Sequence, residues 1–154
     1  MKSREDILES LGYPVGKLTP EGDLVDATAM VGSMLYASGQ VPFDGNKLVS
    51  QGKVPSQVNE EEATGAAALC AANVLRAVRA KLGSLDRVQR VIRITGYVNA
   101  EPDFTDCHLI INGASRLVRE VFGEDGRHAR TALAMNQLPL GASVEIEMIL
   151  QLKN

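Results

Sequence analysis

Tryptophan is absent from this chain of 154 residues, and phenylalanine and tyrosine occur three times each. So few aromatic platforms leave little on which the bases of single-stranded RNA could stack. The net charge of −3 gives no overall attraction for a polyanion, although a local group of arginines could still make one cleft positive. Nucleic acid is therefore not expected as a partner. Cysteine is scarce as well. Cys70 and Cys107 lack CxxC spacing and cannot close a zinc site unaided, so both read as buried thiols and no metal is expected. No apolar run approaches the ~18 residues of a membrane span. The opening Met1-Lys2-Ser3-Arg4-Glu5-Asp6 carries acids and no apolar stretch, so no targeting leader is expected and a cytoplasmic location follows by default.

What is present has the balance of a soluble globular domain: 45% apolar and 23% charged residues, at a length that suits one core. A single domain over residues 1–154 is expected, with 1–20 as an N-terminal extension. Ser3 caps a short helix to Leu11, stopped by Gly12. A turn at 19–22 precedes two strands, Leu24 to Met30 and Ser33 to Val41, paired as a hairpin about Gly32. Pro42 to Val58 reads as a surface loop. Asn59 caps a helix with Glu60, Glu61 and Glu62 in its first turn and Gly83 at its end. Its apolar stripe is rich in alanine and contains Asn73, which needs a partner.

Val88 to Asn99 reads as a strand in which Ile92, Ile94 and Val98 alternate with Arg93, Thr95 and Tyr97. A second helix runs from about Asp103 to Phe122, before strands near Ala129 to Met135 and Ser143 to Leu152. In the last, Val144, Ile146, Met148, Leu150 and Leu152 share one face and Glu145, Glu147 and Gln151 the other. The order β-β-α-β-α-β-β predicts an α+β fold: a mixed β-sheet with two helices packed on one face. The opposite face, with Arg93, Thr95, Tyr97, Glu145 and Glu147, suits a wet contact between copies in a closed oligomer.

Arg130 and Glu145 stand out in the last two strands. A hairpin-like reversal at Leu138-Pro139 would set them across from each other, as a carboxylate-binding pair or as a plain cross-strand ion pair. His108 and His128 fit no triad or ligand spacing, so surface or cap roles are expected for them. Arg76, Arg79, Arg87, Arg90, Arg116 and Arg119 alternate with acids and read as a solvated face rather than an RNA track.

The ending "ARTALAMNQLPLGASVEIEMIL", together with "LYASGQVP" at Leu35 to Pro42, resembles the reactive intermediate deaminases, also called the YjgF or endoribonuclease L-PSP family, over roughly Leu24 to Leu152. The stretch "IINGASRLVREVFGEDGRHAR" looks more like a divergent, longer branch of that family than like its best-known deaminases. The resemblance implies a chorismate-mutase-like fold, a homotrimer with three clefts between subunits, and a cofactor-free deaminase (a hydrolase) that converts enamines or imines derived from amino acids into keto acids and ammonia. It implies that Arg130 binds the substrate carboxylate, that Glu145 and Ser38 orient the attacking water, and that backbone at Gly39 and Ala132 frames the reacting group. Asn112 corresponds to a polar stretch near the cleft. In the chain's departures from the pattern, Val25 stands where active deaminases have a tyrosine, and Ala132 where they have a cysteine. The alternative is a small-carboxylate binding or regulatory protein without turnover. The ribonuclease or translation-inhibitor activity attached to the family name comes last.

Overall fold

Capping starts the first element. Ser3 Oγ accepts the Asp6 N–H (3.1 Å) and the Asp6 carboxylate accepts the Ser3 N–H (3.0 Å), which closes a capping box on α1 (Arg4–Ser10). The computed structural model describes residues 1–20 and 22–154, so Glu21, inside the turn expected at 19–22, lies outside the described residues. Strands β1 (Thr28–Val31) and β2 (Met34–Gln40) pair antiparallel around Gly32, whose φ of 56° suits a residue without Cβ. β1 begins at Thr28 rather than Leu24, because β2 bulges at Ser38-Gly39 and the ladder stops at the Thr28–Ala37 pair. Within the expected loop, β3 (Phe43–Asp44) and β4 (Lys47–Leu48) form a small hairpin.

Asn59 Oδ1 accepts the Glu62 N–H (2.8 Å) to open α2 (Glu60–Leu82), and Gly83, at φ 84°, ends it. Then follow β5 (Val88–Asn99), α3 (Cys107–Phe122), β6 (Ala129–Met135) and β7 (Val144–Leu152). α3 starts at Cys107 rather than Asp103, because the Phe104 N–H turns back to the Glu101 carbonyl (3.0 Å) and delays the helix. The five-stranded sheet has the order β1-β2-β7-β5-β6, and only β5 and β6 run parallel. Both helical crossovers, β2 to β5 and β5 to β6, step the same way across the sheet, so a constant hand lays α2 and α3 on one face.

The core fills that layer. Val144, Ile146, Met148 and Leu150 of β7 are buried, as are Ala63, Ala67, Cys70, Ala71 and Val74 of α2 and Ile110, Ile111, Ala114 and Val118 of α3. Alanines let the α2 axis approach closely. At Gly113 the two helices nearly touch: an added Cβ would overlap the Thr64 carbonyl oxygen and stand 3.0 Å from its carbon. Two expectations need correction. β5 carries an extra residue at Gln89 and at Ile92 against β7, so Val91, not Ile92, faces the core. Arg76 is not on a solvated face but is buried, donating to Pro14 O and Asn73 Oδ1 (2.8 Å each), while Asn73 Nδ2 donates to Phe43 O (2.9 Å).

The other sheet face carries Tyr36, Arg93, Thr95, Tyr97, Thr131, Glu145, Glu147 and Ile149, and no element of the chain's described residues covers it. Val31 and Leu133, on the two edge strands, stay 66% and 43% exposed on it. Among the described residues, no helix is long and apolar enough to cross a membrane.

Candidate active site

The expected side-by-side placement of Arg130 and Glu145 does not occur. β6 and β7 do not pair, because α3 returns the chain parallel to β5 and β5 then lies between them. Arg130 is opposite Ile94, and Glu145 is opposite Tyr97. Side chains alternate along a strand, so Arg130 and Ala132 share the helix face with Ile94 and Gly96, while Glu145 shares the open face with Tyr97. The two groups therefore sit on opposite faces of one sheet and form no ion pair with each other. The site residues fall into two halves.

The first half is built by β6 and α3. Arg130 Nη1 donates to Asn112 Oδ1 (2.8 Å) and to Ser115 Oγ (3.2 Å), and Nη2 donates to the His108 carbonyl (3.2 Å). Asn112 and Ser115 are three residues apart on the helix and present one face to the strand edge. Ser115 Oγ is in turn 2.9 Å from His128 Nε2, whose Nδ1 is 2.6 Å from Gly126 O. Burial lowers the Arg130 pKa from its ordinary 12.5, which still leaves a cation at neutral pH. Ala132 lies two residues along the strand, half-buried against the core.

The second half is built by the β2 bulge and β7. Ala37 pairs with Met148 and Gln40 with Ile146, so Ser38 and Gly39 on β2 stand against the single Glu147 on β7 and bow out. Ser38 Oγ donates to Asp26 O (2.6 Å) and its N–H to Ala27 O (2.9 Å), which leaves its hydroxyl only lone pairs to offer a ligand. Gly39 faces Glu145 directly: a Cβ there would overlap Glu145 Oε1. Burial first, and the neighbouring Glu147 second, raise the Glu145 carboxyl above its ordinary 4.5. Glu145 accepts no hydrogen bond among the described residues, whereas Glu147 accepts one from Tyr97 Oη (2.6 Å) that helps push the tyrosine up to about 12. Val25, Ala27, Val41 and Phe43 line a recess of about 150 Å³ beside Ser38 and Gly39. Gln40 Oε1 accepts the Thr19 hydroxyl (3.0 Å).

Sequence reasoning gave His128 a surface or cap role and did not connect it with Ser115. His128 is half-buried rather than on the surface: Nδ1 makes a cap contact with Gly126 O, at the end of the turn Gly123–Gly126, and Nε2 adds the contact with Ser115. The spacing held a signal: His128 and Arg130 are two apart at a strand start, and Asn112 and Ser115 three apart on a helix. Among the described residues no cluster of His, Cys, Asp or Glu could hold a metal ion.

Comparison with known proteins adds the following. A family model described as "YjgF/chorismate mutase-like, putative endoribonuclease" matches residues 16–152. Protein TCP17 of Trypanosoma cruzi is 41% identical over 124 residues, which cover 80% of this chain and 78% of that protein. Atu1372 of Agrobacterium tumefaciens, solved with its function unknown, superposes with a TM-score of 0.90 at 41% identity, over 97% of this chain and 92% of that one. A "putative endoribonuclease" of Shewanella oneidensis superposes with a TM-score of 0.93 at 26% identity, over 98% and 100%.

Proposed function

We infer a function from the premise that the chain belongs to the YjgF/chorismate mutase-like family: it captures a small imino, enamino or keto acid by its carboxylate and hydrolyses the imine. One observation carries this reading. Three acceptors fix the Arg130 guanidinium from one side, while Nε–H and one Nη2–H have no partner among the described residues. A fork held rigid with two donors to spare suits a carboxylate, which takes two parallel N–H bonds.

An enamine first tautomerises to the imine, whose carbon is electrophilic. Water adds to that carbon, the C–N bond breaks, and keto acid and ammonia leave, so the atoms balance without a cofactor. Glu145, lifted by burial and free of hydrogen bonds among the described residues, takes one water proton and returns it to the nitrogen, and a Ser38 lone pair accepts the other O–H, whose proton follows to the nitrogen as the C–N bond breaks. Because Arg130 and Glu145 occupy opposite faces of the sheet, one chain cannot present both to a small molecule. A neighbouring copy completes the cleft, and the uncovered sheet face supplies the contact for a homotrimer.

A second reading is supported by Val25 and Ala132: without a tyrosine hydroxyl in the recess beside Ser38 or a thiol beside Arg130, the chain binds the carboxylate and does not turn it over. The ribonuclease reading has less support, since net charge is −3 and among the described residues no general-base constellation stands beside a basic groove.

The test is ammonia release from enamines generated in situ by an amino-acid dehydratase. Wild type should exceed the buffer rate, and Arg130→Lys should not, because a point charge cannot replace the fork. Buffer-level release with pyruvate still bound would leave the binding protein. Unchanged pyruvate affinity in Arg130→Lys would remove Arg130 from the site, and light scattering from a stable monomer would rule out the shared cleft.

A further inference from the structure

We propose that Ser115 and His128 are positioning residues that hold Arg130 in its ligand-ready orientation, and that they do so with His128 neutral and protonated on Nδ1. The functional meaning of this relay rests on the carboxylate-binding role given to Arg130 above.

Hydrogen-bond logic fixes the direction. A backbone carbonyl only accepts, so at 2.6 Å from Gly126 O the His128 Nδ1 carries the proton. In a neutral imidazole the other nitrogen is then an acceptor. Ser115 Oγ, 2.9 Å from Nε2, must therefore donate its hydrogen to the ring, which turns the hydroxyl lone pairs toward Arg130 Nη1 at 3.2 Å. Every bond points one way, from Arg130 through Ser115 and His128 to Gly126. Asn112 Oδ1 and His108 O complete three acceptors on the guanidinium, and its free edge faces away from them.

A second proton on His128 reverses one link. Nε2–H would then point at Ser115 Oγ, where Arg130 already donates, and two cations would converge on one neutral oxygen. The charged groups around His128 offer little relief. Arg130 from β6 and Arg119 from α3 both oppose a positive ring, and Glu124 in the turn at Gly123–Gly126 is taken up by Arg119 (2.8 Å) and Arg127 (3.7 Å). Asp125 in the same turn is paired with Arg4 from α1 (3.0 Å), and Arg90 of β5 reaches the Arg127 carbonyl (3.4 Å). Burial, the largest cause, also lowers the His128 pKa from 6.5, so the relay stands at neutral pH and fails in acid.

The test uses the full chain with nitrogen-15 in histidine and arginine, and pyruvate as the probe. Near neutral pH, wild type should show one imidazole protonated at Nδ1 and bare at Nε2, and this signal should vanish in His128→Gln. Ser115→Ala and His128→Ala should speed exchange at the Arg130 guanidinium and weaken pyruvate roughly 2- to 10-fold, the worth of one hydrogen bond. His128→Gln offers an amide oxygen to the serine without titrating. It should keep wild-type affinity at neutral pH and, unlike wild type, retain it in acid, as pH falls well below 6.5. An imidazole protonated at Nε2 near neutral pH, or a Ser115→Ala protein with Arg130 exchange at the wild-type rate, overturns the relay. Failure of pyruvate to bind wild type sinks the proposed function instead, and the two nuclear magnetic resonance readings still decide on the relay.

Discussion

Gly39 stands against Glu145 so closely that a Cβ at position 39 would overlap Oε1 and lie 3.0 Å from Cδ of the acid. A carboxylate at the end of a flexible side chain can swing aside, so Gly39→Ala should fold, but with Glu145 turned away from its place. Turnover should fall by about 10²–10⁴, the usual worth of general acid–base assistance, while pyruvate affinity at Arg130 changes little. Steady-state ammonia release alongside calorimetry separates the two quantities. Equal losses in both would mean that Gly39 touches the ligand itself.

Stability should report the state of Glu145. Burial raises its carboxyl above 4.5, so the charged form carries a penalty in the folded chain that is absent below the ordinary value and grows as pH rises through the raised one. Glu145→Gln should therefore melt above wild type at neutral pH, with the gain shrinking to nothing as pH falls below 4.5. Thermal melts over a pH series check this. A gain that persists in acid would point to packing rather than charge.

Helix ends were legible because caps are local: Ser3, Asn59 and Gly83 act within a few residues of themselves, and the period of the following segment needed nothing else. The pairing of the last two strands was not. A hairpin between β6 and β7 is the simple inference from a short connection, yet the parallel return through α3 puts β5 between them, and that is a property of the whole sheet. Bulges defeated the face assignment on β5, since an unpaired residue shifts a period of two without leaving a mark in the alternation itself. For the site, the family motifs supplied Arg130, Glu145 and Gly39. The contact between Ser115 and His128 remained hidden because it crosses from helix to strand edge, and the local spacings 112/115 and 128/130 do not reveal that the two pairs meet.

The α2–α3 crossing should be the least forgiving place in the fold. At Gly113 the obstructing atom is the Thr64 carbonyl oxygen, held in its helix and unable to rotate away. Gly113→Ala should destabilise the chain by about 1–3 kcal/mol through overpacking, despite the better helix propensity of alanine. Denaturant unfolding measures the loss, and an alanine variant as stable as wild type would mean that the helices slide apart freely.

Restoring the two departures from the family pattern tests the choice between enzyme and binder. Val25 lines the recess beside Ser38 and Gly39, where a tyrosine hydroxyl would add a proton-transfer group. Val25→Tyr with Ala132→Cys should raise deaminase activity, and Glu145→Gln on that background should abolish the gain. If wild type and double variant both release ammonia at the buffer rate while pyruvate still binds, catalysis is not what this chain does.

The two faces of the sheet have a genetic consequence. If the proposed shared cleft joins Arg130 of one copy to Glu145 of another, an Arg130→Lys chain and a Glu145→Gln chain should each be inactive alone but damaged in different halves. Co-assembled, they would leave some clefts in which both contributing halves are intact, so two null alleles would complement each other within one cell.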